Sequence, residues 1–220
     1  MKTMYLPSVA RPCRLFAAGV ALIALGACSV LRPTATPPPV FYSLDNGRAA
    51  STAAPAPVSA SAPTLVVSPP RAAAGFDSQR IIYLREPHKL EYFANSEWVD
   101  PPARMLGPLL VNALQGSGAF RAVILTPGSA AADLRLDTEL IRLQQEFLTQ
   151  PSHVRFTLRA YLVDDRTRRV LAWREFESDV PATSDNPYAG VVAANNAVQT
   201  VLDKLAAFCA ETARGAQVVK

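Results

Sequence analysis

Val154-Arg155-Phe156-Thr157-Leu158-Arg159-Ala160-Tyr161-Leu162 places an apolar side chain at every second position, with arginine, threonine or tyrosine between. Successive side chains of a strand point to opposite sides, so this period of two marks a β-strand with one buried face. Upstream, Asp133 to Phe147 also alternates. Leu134, Leu136, Thr138 and Leu140 share one phase, whereas Ile141, Leu143 and Phe147 fall in the other. That slip predicts a β-bulge near Leu140-Ile141. Downstream, Asp164-Asp165-Arg166-Thr167-Arg168-Arg169 is a charged turn into Val170–Val180, which makes an antiparallel hairpin.

Beyond the hairpin, Asn186-Pro187 opens a long helix. Val191, Val192, Val198, Val201, Leu202, Leu205, Phe208 and Cys209 recur there at helical spacing, and Gly215 is the expected stop. Moving toward the N-terminus, Ala122–Leu125 reads as a strand. Before it, Asp100-Pro101 leads into a helix with Met105, Leu106, Leu109, Leu110, Ala113 and Leu114 on one side. Pro108 inside that helix predicts a kink, and Gly116 and Gly118 end it. Earlier strands are read at Val40–Leu44, Thr64–Ser68, Gln79–Arg85 and Lys89–Phe93, with Asn95–Asp100 as a connection containing Trp98. Ala49–Pro63 is an Ala/Ser/Pro loop without periodicity. The expected fold is α+β, an antiparallel sheet with two main helices packed on it. The order strands, helix, strands, helix also suits two similar βα halves.

The first 28 residues have a different character. Lys2, Arg11 and Arg14 precede the apolar run Leu15–Leu25, which is followed by Gly26, Ala27 and Cys28. Charged, apolar and small in that order describe a secretory signal peptide, residues 1–27. Leu25-Gly26-Ala27-Cys28 resembles the bacterial lipobox, which implies cleavage between Ala27 and Cys28 and acylation of Cys28. Residues 28–39 then form a proline-rich tether of ~30 Å, residues 40–215 the domain and 216–220 a tail. Ser29, not aspartate, follows the cysteine, and this favours the outer membrane over the inner.

Residues 1–27 hold three cations and no acid, so the formal +4 of the 220-residue chain falls to +1 in the mature part. Such a balance, with no basic patch interleaved with aromatics, argues against nucleic acid as a partner. Cys13 leaves with the signal and Cys28 carries lipid, so Cys209 has no intrachain disulfide partner and is read as a buried, inert thiol. His88 and His153 lack spaced acidic or thiol partners, and no metal site is expected. No nucleophile elbow, phosphate-binding glycine loop or Cys/His cluster is present, so neither catalytic residues nor a cofactor are assigned. Tyr83, Tyr92 and Trp98, close in sequence, read either as core or as the lining of a lipid or peptide groove. Arg166, Arg168 and Arg169 read either as a solvated hairpin tip or as a contact for lipid headgroups or an acidic partner.

A family resemblance follows from the order of these motifs. The lipobox, Phe41-Tyr42-Ser43-Leu44, Leu65-Val66-Val67, Arg80-Ile81-Ile82-Tyr83-Leu84-Arg85, Asn95-Ser96-Glu97-Trp98-Val99-Asp100-Pro101, Ala132-Asp133-Leu134-Arg135-Leu136 and Val192-Ala193-Ala194-Asn195-Asn196-Ala197 together resemble the ABC-type transport auxiliary lipoprotein family. Leu84, Pro108 and the long Ala/Ser/Pro loop depart from its pattern. The resemblance implies a periplasm-facing, non-enzymatic lipoprotein accompanying an MCE-type ABC lipid-transport system, the paraquat-inducible group included. Its partners would be MCE-domain and ABC transporter components, and its cargo a phospholipid or another hydrophobic molecule. A homo-oligomer is compatible with this reading. The alternative is a structural lipoprotein of envelope assembly that binds another protein without any transport role. A lipid-anchored hydrolase would need the catalytic constellation that the sequence lacks.

Overall fold

The alternation in the second half of the chain becomes three long strands, and the other elements are arranged along them. The structure, a computed structural model, describes residues 38–45, 59, 61–127 and 131–218. The signal peptide, Cys28, the tether up to residue 37 and most of the 49–63 loop lie outside the described residues. In chain order the elements are the strands Val40–Tyr42 (β1), Thr64–Val67 (β2), Arg71–Ala72 (β3), Arg80–Glu86 (β4) and Lys89–Trp98 (β5) and the helix Pro102–Gly116 (α1). Then come the strands Ala122–Leu125 (β6), Leu134–Glu146 (β7), His153–Asp164 (β8) and Val170–Pro181 (β9) and the helix Pro187–Val218 (α2).

β7, β8 and β9 pair antiparallel along nearly their whole lengths, from Leu134↔Asp164 to Glu146↔His153 and from His153↔Pro181 to Val163↔Val170. The register between β7 and β8 shifts between Leu140 and Arg142, which leaves Ile141 as the extra residue. Because of that bulge Leu143, paired with Phe156, returns to the buried face that Leu134, Leu136 and Leu140 began.

The other edge of β7 corrects the antiparallel expectation. Three short pieces follow one another along it, all parallel to it: β2 at Leu65↔Leu134, β3 at Arg71↔Glu139 and β4 at Tyr83↔Gln145. β6 is parallel to β2, and β1 is parallel to β5, so the nine-stranded sheet is mixed. Parallel neighbours need a long crossover connection. Here the β4–β5 hairpin and α1 together carry the chain from β2 around to β6. Period-two patterning identifies a strand but not the direction of its neighbour, which is why this was not visible in the sequence.

β5 also runs further than expected, through Asn95 and Ser96 to Trp98, because Tyr42 pairs with Trp98 and Trp98 N–H donates to Gln79 O. α1 therefore starts one residue late, with Pro102 at its first position. Asp100 makes no cap and instead meets Arg104 at 3.3 Å. α1 continues through Pro108, whose ring is exposed. α2 is capped as its sequence suggests, with Ala189 N–H donating to Asn186 Oδ1 at 2.9 Å. It does not stop at Gly215 but runs to Val218.

Both helices contribute to one core. Leu106, Leu110 and Leu114 of α1 and Val198, Leu202, Leu205 and Cys209 of α2 pack with Leu136, Leu140, Phe156, Leu158 and Leu162 of the long strands. Each fully buried aliphatic or Phe side chain here stabilises the fold by about 1.5–3 kcal/mol. A glycine permits the closest approach: a methyl group on Gly190 of α2 would sit 2.1 Å from Gln145 Oε1 of β7.

Candidate functional site

α2 covers one face of β8 and β9 and reaches β7, whereas α1 lies against β6, β2 and β3. The opposite face carries the polar residues of the alternation, and the antiparallel register lines them up in rows across the strands. In one row Arg159 lies between Glu139 and Glu175. Its Nη2 is 2.9 Å from Glu175 Oε2, and its Nη1 is 3.3 Å from Glu139 Oε2. The hydrogen bond to Glu175 holds the Arg159 guanidinium pKa above its ordinary value. In the next ion-pair row, Arg155 reaches Asp179 at 3.3 Å and Glu146 at 3.5 Å. Glu146 is buried and also accepts a hydrogen bond from Gln144 Nε2 at 2.7 Å. The charges on this face are thus largely satisfied by one another. The surface offers shape and a fixed hydrogen-bond pattern more than a field that would draw in an ion.

One row breaks the charged pattern. Tyr161 and Trp173 stack with centroids 6.3 Å apart, and Trp173 is 62% exposed. A rigid, amphipathic ring pair on an ordered polar face is the kind of anchor that protein interfaces use. The sequence reading missed Trp173. Its signal was present: a tryptophan in phase with Glu175, Glu177 and Asp179 on an otherwise acidic strand face.

The hairpin tip between β8 and β9 is built by its own aspartates. Asp164 Oδ1 accepts hydrogen bonds from the backbone N–H groups of Arg166 and Thr167, at 3.0 and 2.8 Å. Arg168 takes a left-handed conformation (φ 61°) and pairs with Asp165 at 3.0 Å. Asp165 also meets Arg135, which in turn meets Asp137, so the charge of Arg168 joins a four-residue cluster. Arg166 is exposed. Arg169 borders an open cleft of about 840 Å³ with Asp133, Asp164 and Thr212 of the C-terminal part of α2. No cysteine or histidine lines that cleft, and the Cys209 thiol lies buried, its pKa pushed up to about 12 by desolvation. Among the described residues no group of three or more His, Cys, Asp or Glu side chains could hold a metal ion.

The three aromatic candidates are not brought into one groove. Trp98 is 3% exposed, in the core. Tyr83 is half-buried in a cluster with Phe93 at 4.5 Å and Phe147 at 5.8 Å. Tyr92 pairs with Ile82 on the other side of the sheet and lies 41% exposed under the Arg80 guanidinium, 4.7 Å from its ring centre.

Comparison with known proteins agrees with this geometry. The model of the ABC-type transport auxiliary lipoprotein component family matches residues 42–206. Protein XCC0632 from Xanthomonas campestris, assigned to family DUF330, superposes with a TM-score of 0.68 at 23% identity, covering 81% of this chain and 98% of its own. A second crystal structure, of an uncharacterized protein, gives a TM-score of 0.60 at 13% identity over 78% of this chain and 99% of that one. At these identities both establish the fold. No curated protein matches the chain.

Proposed function

This chain belongs to the ABC-type transport auxiliary lipoprotein component family, and from that premise we propose that it is the lipid-anchored, periplasm-facing docking or bridging partner of an MCE-type ABC lipid-transport system. The match over residues 42–206, nearly the whole of the expected domain, carries this reading. Its work is recognition, with no bond made or broken. The uncovered face of β7–β8–β9, with Trp173 as its anchor, is the surface on which a component of the system docks. The cargo is a phospholipid or a similar hydrophobic molecule handled by that system.

Attachment follows from Cys28. Cleavage after Ala27 frees its amine, and acyl chains there supply ~0.8 kcal/mol per buried CH₂, with two or more chains giving durable anchoring. Ser29, standing where an aspartate would favour inner-membrane retention, favours the outer membrane.

The test is a photo-crosslinking residue in place of Trp173 in the full-length protein in its native envelope, with captured partners identified by mass. Capture of MCE-domain or ABC transporter components is expected, and deletion of the chain should phenocopy loss of the MCE component. Capture confined to envelope-assembly proteins would favour the structural alternative. Loss of a hydrolytic activity on deletion would overturn the non-catalytic reading. Cys28→Ala should abolish labelling by a clickable fatty acid, and a labelled, membrane-held mutant would refute the anchor.

A further inference from the structure

Eleven large hydrophobic side chains are exposed among the described residues, and five of them lie on segments that meet at one corner: Val40 and Phe41 of β1, Val99 just after β5, and Tyr188 and Val192 at the start of α2. The corner is built by β1 and the first turns of α2. Tyr42 of β1 meets Tyr188 of α2 with ring centres 6.4 Å apart, and Val99 N–H donates to Tyr42 O. Asn195 fastens the two elements together: its Oδ1 accepts from Asp45 N–H at 2.8 Å and its Nδ2 donates to Ser43 O at 3.3 Å. Tyr188 and Val192 lie one helical turn apart, on the same side of α2. Tyr188 is 65% exposed although it sits beside the core.

We propose that this corner rests in the headgroup layer of the membrane that holds the protein. The proposal depends on the Cys28 anchor of the preceding section. Eleven residues separate Cys28 from Val40, and fully extended they reach at most ~40 Å. The tether joins the domain at Val40, itself one of these residues, so this apolar surface is the part of the domain nearest the anchor along the chain. A tethered surface meets its target at high effective concentration, and a patch too weak to bind membranes alone becomes occupied. Valine and phenylalanine suit the acyl boundary, and a tyrosine keeps its hydroxyl among the headgroups. The acidic residues beside β1 stand next to cations, Asp100 paired with Arg104 and Glu97 opposite Arg80, so the corner carries no surplus positive charge to draw anionic lipid and the fitting surface is a zwitterionic one.

The experiment uses the full-length acylated protein in phosphatidylcholine/phosphatidylethanolamine vesicles. An environment-sensitive fluorophore is placed at Tyr188→Cys or, as control, at the exposed Glu211→Cys far along α2. Cys209 is buried and stays unlabelled. Shallow nitroxide-labelled phosphatidylcholine should quench the probe at 188 at least twofold more than the probe at 211. Adding anionic phosphatidylglycerol should not increase the difference. Equal quenching at the two sites, in protein that floats with the vesicles, overturns the proposal and leaves the anchor standing. Protein that does not float with the vesicles refutes the anchor, and the proposal falls with it.

Discussion

Gly190→Ala sets helix propensity against packing. In an ordinary helix interior the change stabilises by about 0.5–1 kcal/mol, because glycine loses more backbone freedom on folding. At this position the new methyl would lie 2.1 Å from Gln145 Oε1 and 2.7 Å from its Cδ. Gln145 is 2% exposed and its Nε2 donates to Ser152 Oγ at 2.9 Å, so it cannot swing into solvent. Ser152 is itself fully buried, its N–H donating to Asp185 Oδ1 at 3.0 Å. Moving the carboxamide leaves a buried polar pair unmet, at about 1–3 kcal/mol, and crowding adds about 1–3 kcal/mol. Packing wins, and the net loss is about 2–4 kcal/mol. Urea unfolding should show it as a midpoint lowered by roughly 1–2 M. Gly190→Ala combined with Gln145→Ala should recover at least about 1 kcal/mol relative to the sum of the single changes. A Gly190→Ala midpoint equal to or above that of the parent would refute the reasoning.

Trp98→Ala should cost about 3–5 kcal/mol and lower cellular abundance, since the ring is a core element; a melting temperature within a degree of the parent would disprove that role. Cys209 should react slowly with a maleimide in native protein and rapidly in urea, because burial keeps its thiol protonated; equal rates would mean that this face of α2 is open. Hydrogen bonds from the Ser152 side chain and backbone hold the Asp185 carboxyl below its ordinary value near 3.8. A depressed carboxylate contributes stability that is fully present above the unfolded value and is lost as pH falls through the folded one. The stability gap between the parent and Asp185→Asn should therefore be constant at neutral pH and shrink below about pH 4. A gap that stays constant on acidification would count against it.

Much of the second half of the domain was legible because each of its signals is local. The alternation of β8, the bulge at Ile141 and the Asn186 cap are set by neighbouring residues. The first half depends on partners far away. β2, β3 and β4 are short pieces whose direction is fixed only by lying along β7, and β5 continues past Asn95 because Ser96, Glu97 and Trp98 pair with β1. Gly190 was invisible for a similar reason. A glycine in an alanine-rich helix looks tolerated, and only the glutamine across from it gives the missing side chain a purpose. At the candidate surface the rows of charge were implicit in the strand phases, but Trp173 acquires meaning only when β9 is aligned beside β8. The exposed corner needs β1 placed against α2, and no periodicity encodes that.

The parallel seating of β2 against β7 has a temporal side. Thr64 and its partner Asp133 are 69 residues apart, and the chain emerges N-terminus first. At about 5–20 residues per second, the buried Leu65-Val66-Val67 run spends roughly 3–14 s without the strand that will cover it. During that interval it is an unpaired apolar edge, open to pairing with another copy of the same segment. A holdase that shields residues 64–86 until Leu134–Glu146 arrives should raise the yield of folded protein. Synonymous changes that slow translation between those two stretches should lower it without altering the native structure.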